Sequence, residues 1–384
     1  MALAIALVII VVASVLFHFL SPWWATPLAS NWNQMDDTLT ITLVITGLFF
    51  VVINLLLGYI VWRYRHRDGH RAAYEPENSR LERWLIGLTA LGIMALLAPG
   101  LIVYAEYVRP PRDAMVMEVV GQQWQWAFRF PGKSGQLGTT DPRFVSGSNP
   151  LGLNPEDPNG QDNVIVVGPE VHLPLGRPIK VLLRSKDVLH DFYVPPFRAR
   201  MNMVPGMVTS FWFTPTKAGK FDILCAQLCG VGHYNMRGHV VVEDQAAFNA
   251  WLASQQTFAM STTKAAQPAA TAAPAGGAGG ADLVAQGKAL AQSKGCVACH
   301  SADGGASVGP TWKGLYGSTQ TFTDGTSAKV DDAFLKTEIE DPQARIVKGF
   351  GPVMPKLPVT DADVVALSAY IRSLDSAGAP QAGK

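Results

Sequence analysis

The chain opens with three apolar stretches, Ala2–Leu20, Leu39–Trp62 and Trp84–Tyr107, and these restrict the fold more than any other feature. Each can cross a hydrocarbon core of ~30 Å, which takes ~20 helical residues. Lipid offers no partner for backbone N–H and C=O groups, so such segments must be helices that satisfy their own backbone. The loop between the second and third stretches holds Arg63, Arg65, Arg67, Arg71, Arg80 and Arg83, which the positive-inside rule assigns to the cytoplasm. Everything after Tyr107 then lies outside the cytoplasm, with Trp23 and Trp24 at the outer interface. The first stretch lacks a basic leader and is long for a signal peptide, so it reads as a retained helix. Cleavage near Ser30 would leave the orientation of the rest unchanged.

At 384 residues the chain has room for two or three domains. A formal net charge of +1 with 16% charged residues gives no basic surface for nucleic acid. The expected organisation is transmembrane helices in 1–112, a β domain in 113–253, a linker in 254–281 and a helical domain in 282–384. The β domain is expected from short runs at Met115–Val120, Trp124–Phe130, Val164–Val167, Ile179–Arg184, Val208–Phe213 and Lys220–Leu224, separated by turns such as Pro131-Gly132 and Ala218-Gly219. Such punctuation implies a sandwich or barrel. Pro142 to Asn163 reads as an irregular insertion.

The four cysteines form two close pairs, each with a histidine just behind; a disulfide scaffold would scatter them. Cys225, Cys229, His233 and Met236 make C-x3-C-x3-H-x2-M, and His190 lies upstream in a separate loop. Thiolate and imidazole suit copper, and thioether is a weak axial donor. A mononuclear blue-copper site needs only one thiolate. The second is surplus, and two cysteines on one loop can bridge a pair of copper ions. A Cys225–Cys229 disulfide is the plainer reading in an oxidising compartment, but it leaves His190, His233 and Met236 unexplained.

The segments DVLHDFYVPPFRARMNMVPG and KFDILCAQLCGVGHYNM resemble the copper-site region of cytochrome c oxidase subunit II, and the helix hairpin before them is similar to that family's. The resemblance implies a cupredoxin fold carrying the mixed-valence dicopper centre CuA. Cys225 and Cys229 would be bridging thiolates, His190 and His233 terminal imidazoles, and Met236 and the Gln227 carbonyl the weak ligands. GQQWQW resembles the family's aromatic motif, which makes Trp124 the place where electrons come in; packing within a strand is the alternative for this residue. Three departures stand out. Gln227 replaces a glutamate whose side chain helps hold an interface magnesium in the family, and magnesium prefers carboxylates. Arg200 to Met207 lacks the acid and the base of the family's K-x-D-x-x-P-G-R. The W-T-x-x-P of the last membrane helix is missing. His172 and His239 read as structural, and Met201, Met203 and Met207 as adaptable packing.

Thr262 to Ala281 is rich in Ala, Gly, Pro and Thr and reads as a tether. Behind it, Cys296-Val297-Ala298-Cys299-His300 is the c-type haem attachment signal. Zinc would need two further ligands nearby. Met354, between prolines in Gly351-Pro352-Val353-Met354-Pro355, is the candidate second axial ligand, since Met/His ligation raises haem potential. Helices are expected at Asp282–Lys294 and Thr360–Leu374, the latter with Val364, Leu367, Ile371 and Leu374 on its buried face and Thr360 and Asp363 as its cap. About Asp282 to Asp375 resembles the cytochrome c family, which implies that the Pro310 carbonyl orients His300.

Together these readings describe a multidomain membrane protein with an all-β cupredoxin domain and an all-α cytochrome c domain. It would pass electrons from a c-type cytochrome or similar donor, through one haem c and CuA, to a haem–copper subunit I, with subunit III also expected. No site for dioxygen is visible in this chain, so reduction of dioxygen to water would belong to that partner. The expected place is a bacterial inner membrane. A copper-containing nitric oxide reductase would use the same relay and stays open as the alternative.

Overall fold

A computed structural model describes residues 2–21, 26–69, 71, 74, 76–146, 149–261, 279–357 and 359–376. Trp23, Trp24 and most of the tether lie outside the described residues. The chain divides into two units, residues 1–111 with 196–198, and residues 112–195 with 199–384.

The first unit consists of α1 (Ala2–Leu20), α2 (Asn33–Arg63) and α3 (Ser79–Tyr107). All three are long and apolar enough to cross a membrane, and their leucines, isoleucines and phenylalanines are largely exposed, as suits helices solvated by lipid. α2 and α3 begin earlier than their apolar stretches. α3 can do so because Asn78 caps it, its side chain accepting from the Leu81 N–H at 3.0 Å. At the other end of the hairpin Trp32 and Tyr107 meet edge to face at 5.2 Å, both buried. Residues 196–198 pack with this unit. The Arg198 guanidinium grips Asp36 with two bonds of 2.6 and 2.8 Å, and the Ser30 hydroxyl donates to the Phe197 carbonyl at 2.7 Å. Arg198 takes a left-handed backbone conformation, φ 54°, which costs a non-glycine residue ~1 kcal/mol and is offset by that fork-on-carboxylate pair.

The second unit begins with a β-sandwich. One sheet has the order β3-β2-β1-β5-β8 and the other β4-β10-β9-β6-β7. The strands are β1 (Met115–Gln122), β2 (Gln125–Phe130), β3 (Val164–Val167), β4 (Glu170–Pro174), β5 (Ile179–Ser185), β6 (His190–Val194), β7 (Ala199–Met203), β8 (Thr209–Phe213), β9 (Gly219–Cys225) and β10 (Arg237–Glu243). Alternate residues face inward, as in β3 and β5, and the core holds Met117, Trp126, Phe128, Val181, Phe192, Phe211, Ile223 and Val240. The insertion after β2 is pinned by a buried arginine. Arg129 donates to Glu118 at 2.8 Å and to the Gly138 carbonyl at 2.8 Å, so its charge is paired as burial demands.

α4 (Gln245–Ser254) follows β10, capped by Asp244. Its Trp251 stacks on His172 at 4.5 Å, and His172 bonds Glu243 at 2.8 Å, which gives that histidine a packing role. The expected linker boundary at 254 is too early. Phe258 is buried against Val120, Leu151 and Leu153, and its N–H donates to the Asn163 carbonyl at 2.9 Å. An aromatic side chain in an otherwise polar stretch holds the chain to the sandwich through residue 261.

The last part contains α5 (Gly279–Ser293), α6 (Asp332–Glu340) and α7 (Asp361–Ser376), with a small hairpin of β11 (Thr319–Thr321) and β12 (Ser327–Lys329), so it is helical but not purely α. The Thr360–Asp363 cap is reciprocal: the Thr360 N–H donates to the Asp363 carboxylate at 3.0 Å and the Asp363 N–H to the Thr360 hydroxyl at 3.2 Å. Val364, Leu367 and Ile371 are buried. α5 crosses α7 at Gly287, where a Cβ would run into the Ala366 carbonyl. Gly287→Ala should therefore cost about 1–3 kcal/mol by overpacking. Thermal unfolding of the full chain followed at the haem-domain absorbance checks this; an unchanged Tm would mean that the helices can part freely.

Candidate metal and haem sites

The copper candidates converge where β9 ends and β10 begins. The Cys225 N–H donates to the Met236 carbonyl at 3.2 Å, and the Ala226 N–H to the Asp191 carbonyl at 3.1 Å. These bonds close the loop from 225 to 236 and bring it beside His190, the first residue of β6. The two sulfurs are 3.7 Å apart, far beyond the ~2.05 Å of a disulfide. His190 Nδ1 lies 3.9 Å from the Cys225 sulfur and His233 Nδ1 3.6 Å from the Cys229 sulfur. The Gln227 carbonyl is 3.2 Å from the Cys225 sulfur, and the Met236 sulfur 4.0 Å from that of Cys229. Each thiol thus has one imidazole and one weak donor of its own.

This donor set fits a pair of copper ions. Two sulfurs and two nitrogens alone would also suit a tetrahedral zinc, but the carbonyl and the thioether exceed four-coordination and thioether is no zinc ligand. His190, Cys229 and Met236 are buried. The Cys229 thiol donates toward the Cys225 sulfur, which holds Cys225 well below the ordinary thiol range and pushes Cys229 above it. His190 is desolvated, yet its bonds to Asp187 and Cys225 outweigh burial and raise its pKa.

Asp187 was not legible as part of this site. Its carboxylate takes the His190 Nε2 hydrogen bond at 2.8 Å and the Gln123 N–H at 2.7 Å. A proton fixed on Nε2 leaves Nδ1 free to face a metal. Gly121 of β1 makes room for the ring: a Cβ there would sit 3.2 Å from the imidazole.

The haem candidates line one apolar cavity of ≈ 1380 Å³, its solvent mouth included. Cys296, Cys299, His300 and Met354 all border it. His300 Nδ1 bonds the Pro310 carbonyl at 2.8 Å, and its ring stacks on Trp312 at 5.2 Å. Gly309 lies flat against the imidazole, where a Cβ would be 2.7 Å from Cε1. Burial lowers the His300 pKa, which keeps the ring neutral, as a ligand must be. Burial also pushes the Cys296 thiol up to about 11 and raises Cys299, so both keep their protons in this apolar setting. Gln343, unremarked in the sequence, donates to the Met354 carbonyl at 2.8 Å and holds the axial loop. The donors and the cavity fit a covalently attached haem.

Trp124 borders the haem cavity, while its indole N–H donates to the Cys229 carbonyl at 3.1 Å. The Gln123 amide donates to the same carbonyl at 2.8 Å. At Gly232 a Cβ would strike the indole, so the copper loop needs glycine under Trp124.

Residues 115–244 match the family described as cytochrome c oxidase subunit II, periplasmic domain, and residues 284–375 match cytochrome c. An alternative cytochrome c oxidase subunit 2 from Bradyrhizobium diazoefficiens is 56% identical over 259 residues, 67% of this chain and 94% of the relative. The chain belongs to the cytochrome c oxidase subunit 2 family. A subunit 2 from Cereibacter sphaeroides is 27% identical, covering 64% of this chain and 83% of its own. One from Alkalihalophilus pseudofirmus is 24% identical, covering 88% and 86%. The solved periplasmic domain of subunit II of cytochrome oxidase from Bradyrhizobium japonicum aligns with a TM-score of 0.28 at 24% identity, over 38% of this chain and 96% of that one. The subunit II domain implies a CuA copper centre and the cytochrome c domain a haem c; the family places the chain in a haem–copper oxidase complex, with its β domain outside the cytoplasm.

Asp187→Asn should loosen copper by about 10–100-fold, the usual effect of removing a carboxylate that orients a ligating histidine. Copper per chain after equilibration against graded chelator is the measurement. Retention equal to wild type would mean that the strand alone orients His190.

Proposed function

We propose that this chain is the electron-input subunit of a respiratory terminal oxidase in a bacterial inner membrane. It receives electrons from a c-type cytochrome or similar donor and delivers them, by way of haem c and CuA, to a haem–copper subunit I that reduces dioxygen to water; subunit III completes the expected complex. The observation that carries the reading is Trp124, which borders the haem cavity on one side and bonds the Cys229 carbonyl on the other. The copper ligands are His190, Cys225, Cys229, His233, Met236 and the Gln227 carbonyl; the haem is held by Cys296, Cys299, His300 and Met354.

Bound in these places, haem c and the copper pair each take up and hand on one electron at a time. The chain's own groups do the rest. His300 is kept neutral by burial and oriented by the Pro310 carbonyl, and Gln343 fixes the Met354 loop. The two thiols are buried and positioned before any charge moves, so little around them has to reorganise. Trp124 supplies an aromatic ring and a hydrogen bond between the two sites. The Gln227 side chain brings no charge, so an interface magnesium is left without this carboxylate.

Purified complex given reduced c-type donor should consume dioxygen rapidly and nitric oxide slowly; the reverse would move the complex to nitric oxide reduction. In Trp124→Ala, reduction of the copper centre after haem reduction should slow with both cofactors retained, and Trp124→Phe, which keeps the ring but loses the N–H, should fall between. Wild-type kinetics in both would remove Trp124 from the path.

A further inference from the structure

The short turn His233–Asn235 carries a residue that belongs to neither ligand set. Asn235 stands between the copper-ligand candidates His233 and Met236, and its side-chain amide leaves the β domain altogether. It donates to the Ala298 carbonyl at 2.8 Å and approaches the Ser307 hydroxyl at 3.5 Å. Ala298 is the middle residue of the haem attachment motif, and Ser307 precedes the Gly309–Pro310 stretch that supports His300.

The donor is rigidly placed. The Asn235 N–H donates to the Gly232 carbonyl at 3.0 Å and the Met236 N–H to the same carbonyl at 3.1 Å, so the turn that presents the amide is the one that places Met236. The acceptor is equally fixed, because the Ala298 N–H is used by the Gly295 carbonyl at 3.1 Å. Contact continues around this bond. A Cβ on Gly295 would lie 3.6 Å from the Gln125 amide and 3.8 Å from the Gln123 carbonyl. Gln123, Trp124, Gln125 and Asn235 thus face Gly295, Ala298 and Ser307 across one uncharged seam.

We propose that Asn235 is a positioning residue that clips the haem domain onto the copper loop, setting the separation and orientation across which electrons pass between the two motifs. This rests on the relay reading above. A tethered domain already has an effective concentration in the millimolar range, so the clip need not be strong. One hydrogen bond of about 1 kcal/mol changes the docked population roughly fivefold when docking is marginal.

The test is flash-induced electron transfer from haem to copper in the intact complex. Asn235→Leu keeps the size of the side chain and removes the donor. It should slow the transfer about fivefold, while bound copper, the copper electron-spin spectrum and the haem potential stay at wild-type values. Ser307→Trp opens the same seam from the haem side while every residue of the copper loop stays wild type, and should slow the transfer likewise. Wild-type rates in both variants overturn the proposal. If Asn235→Leu loses copper, Ser307→Trp decides alone: slowing supports the clip, and an unchanged rate overturns it. If the wild-type complex shows no transfer from haem to copper, the relay reading fails and the clip fails with it; transfer in the wild type with no effect of either variant removes only the clip.

Discussion

The closure of the loop between β9 and β10 is the constraint on which the rest of the site depends. Two backbone hydrogen bonds, Cys225 N–H to the Met236 carbonyl and Ala226 N–H to the Asp191 carbonyl, fix both ends of the loop to neighbouring strands. Everything else is built on those ties. They bring Cys225 opposite Phe192 in the register of β6 and β9, which sets His190 beside the thiols. They turn the chain at Gly232, where Trp124 lies across it, and they aim Asn235 away from the sandwich. The conformational entropy of ordering so many ligands is met by the folding of two sheets, so the donors stand ready before a metal comes.

Much of this was legible because the candidate metal and haem ligands come in short motifs. Cys225, Cys229, His233 and Met236 announce themselves by spacing, as do Cys296, Cys299 and His300. Their supports do not. Asp187, Gln123, Asn235 and Gln343 act through hydrogen bonds that no spacing announces, two of them to groups distant in sequence: Gln123 reaches the Cys229 carbonyl across 106 positions and Asn235 reaches Ala298 across 63. An amide or a carboxylate on a polar loop carries no periodic or spacing signal, so only folding identifies it. Among the strands, β7 was hidden for a different reason. Its sequence ARMNM does alternate apolar and polar residues, but it is only five residues long, its methionines read as adaptable packing, and it pairs with β6 across a proline-rich corner. The end of the β domain was misplaced because one buried aromatic, Phe258, outweighs the polar composition around it. The capping of α7 by Thr360 and Asp363 is the opposite case, a local signal realised locally.

The two cysteine pairs show how burial and neighbours turn one residue type to different ends. Around Cys296 and Cys299 the environment is apolar and keeps the proton on sulfur. Around Cys225 the neighbouring thiol and an imidazole favour the thiolate, the form that binds metal. Electrostatics thus sets Cys225 apart from the other three thiols, which all keep their protons more firmly.

That sorting carries a hazard. Two sulfurs held 3.7 Å apart, one of them inclined to ionise, need to close by less than 2 Å to reach the ~2.05 Å of a disulfide, and they stand on the oxidising side of the membrane. Preassembly therefore starts a race between metal and oxidant as soon as the sandwich folds. Timely copper delivery, or a reductant able to reopen the pair, becomes part of what this fold demands of its surroundings.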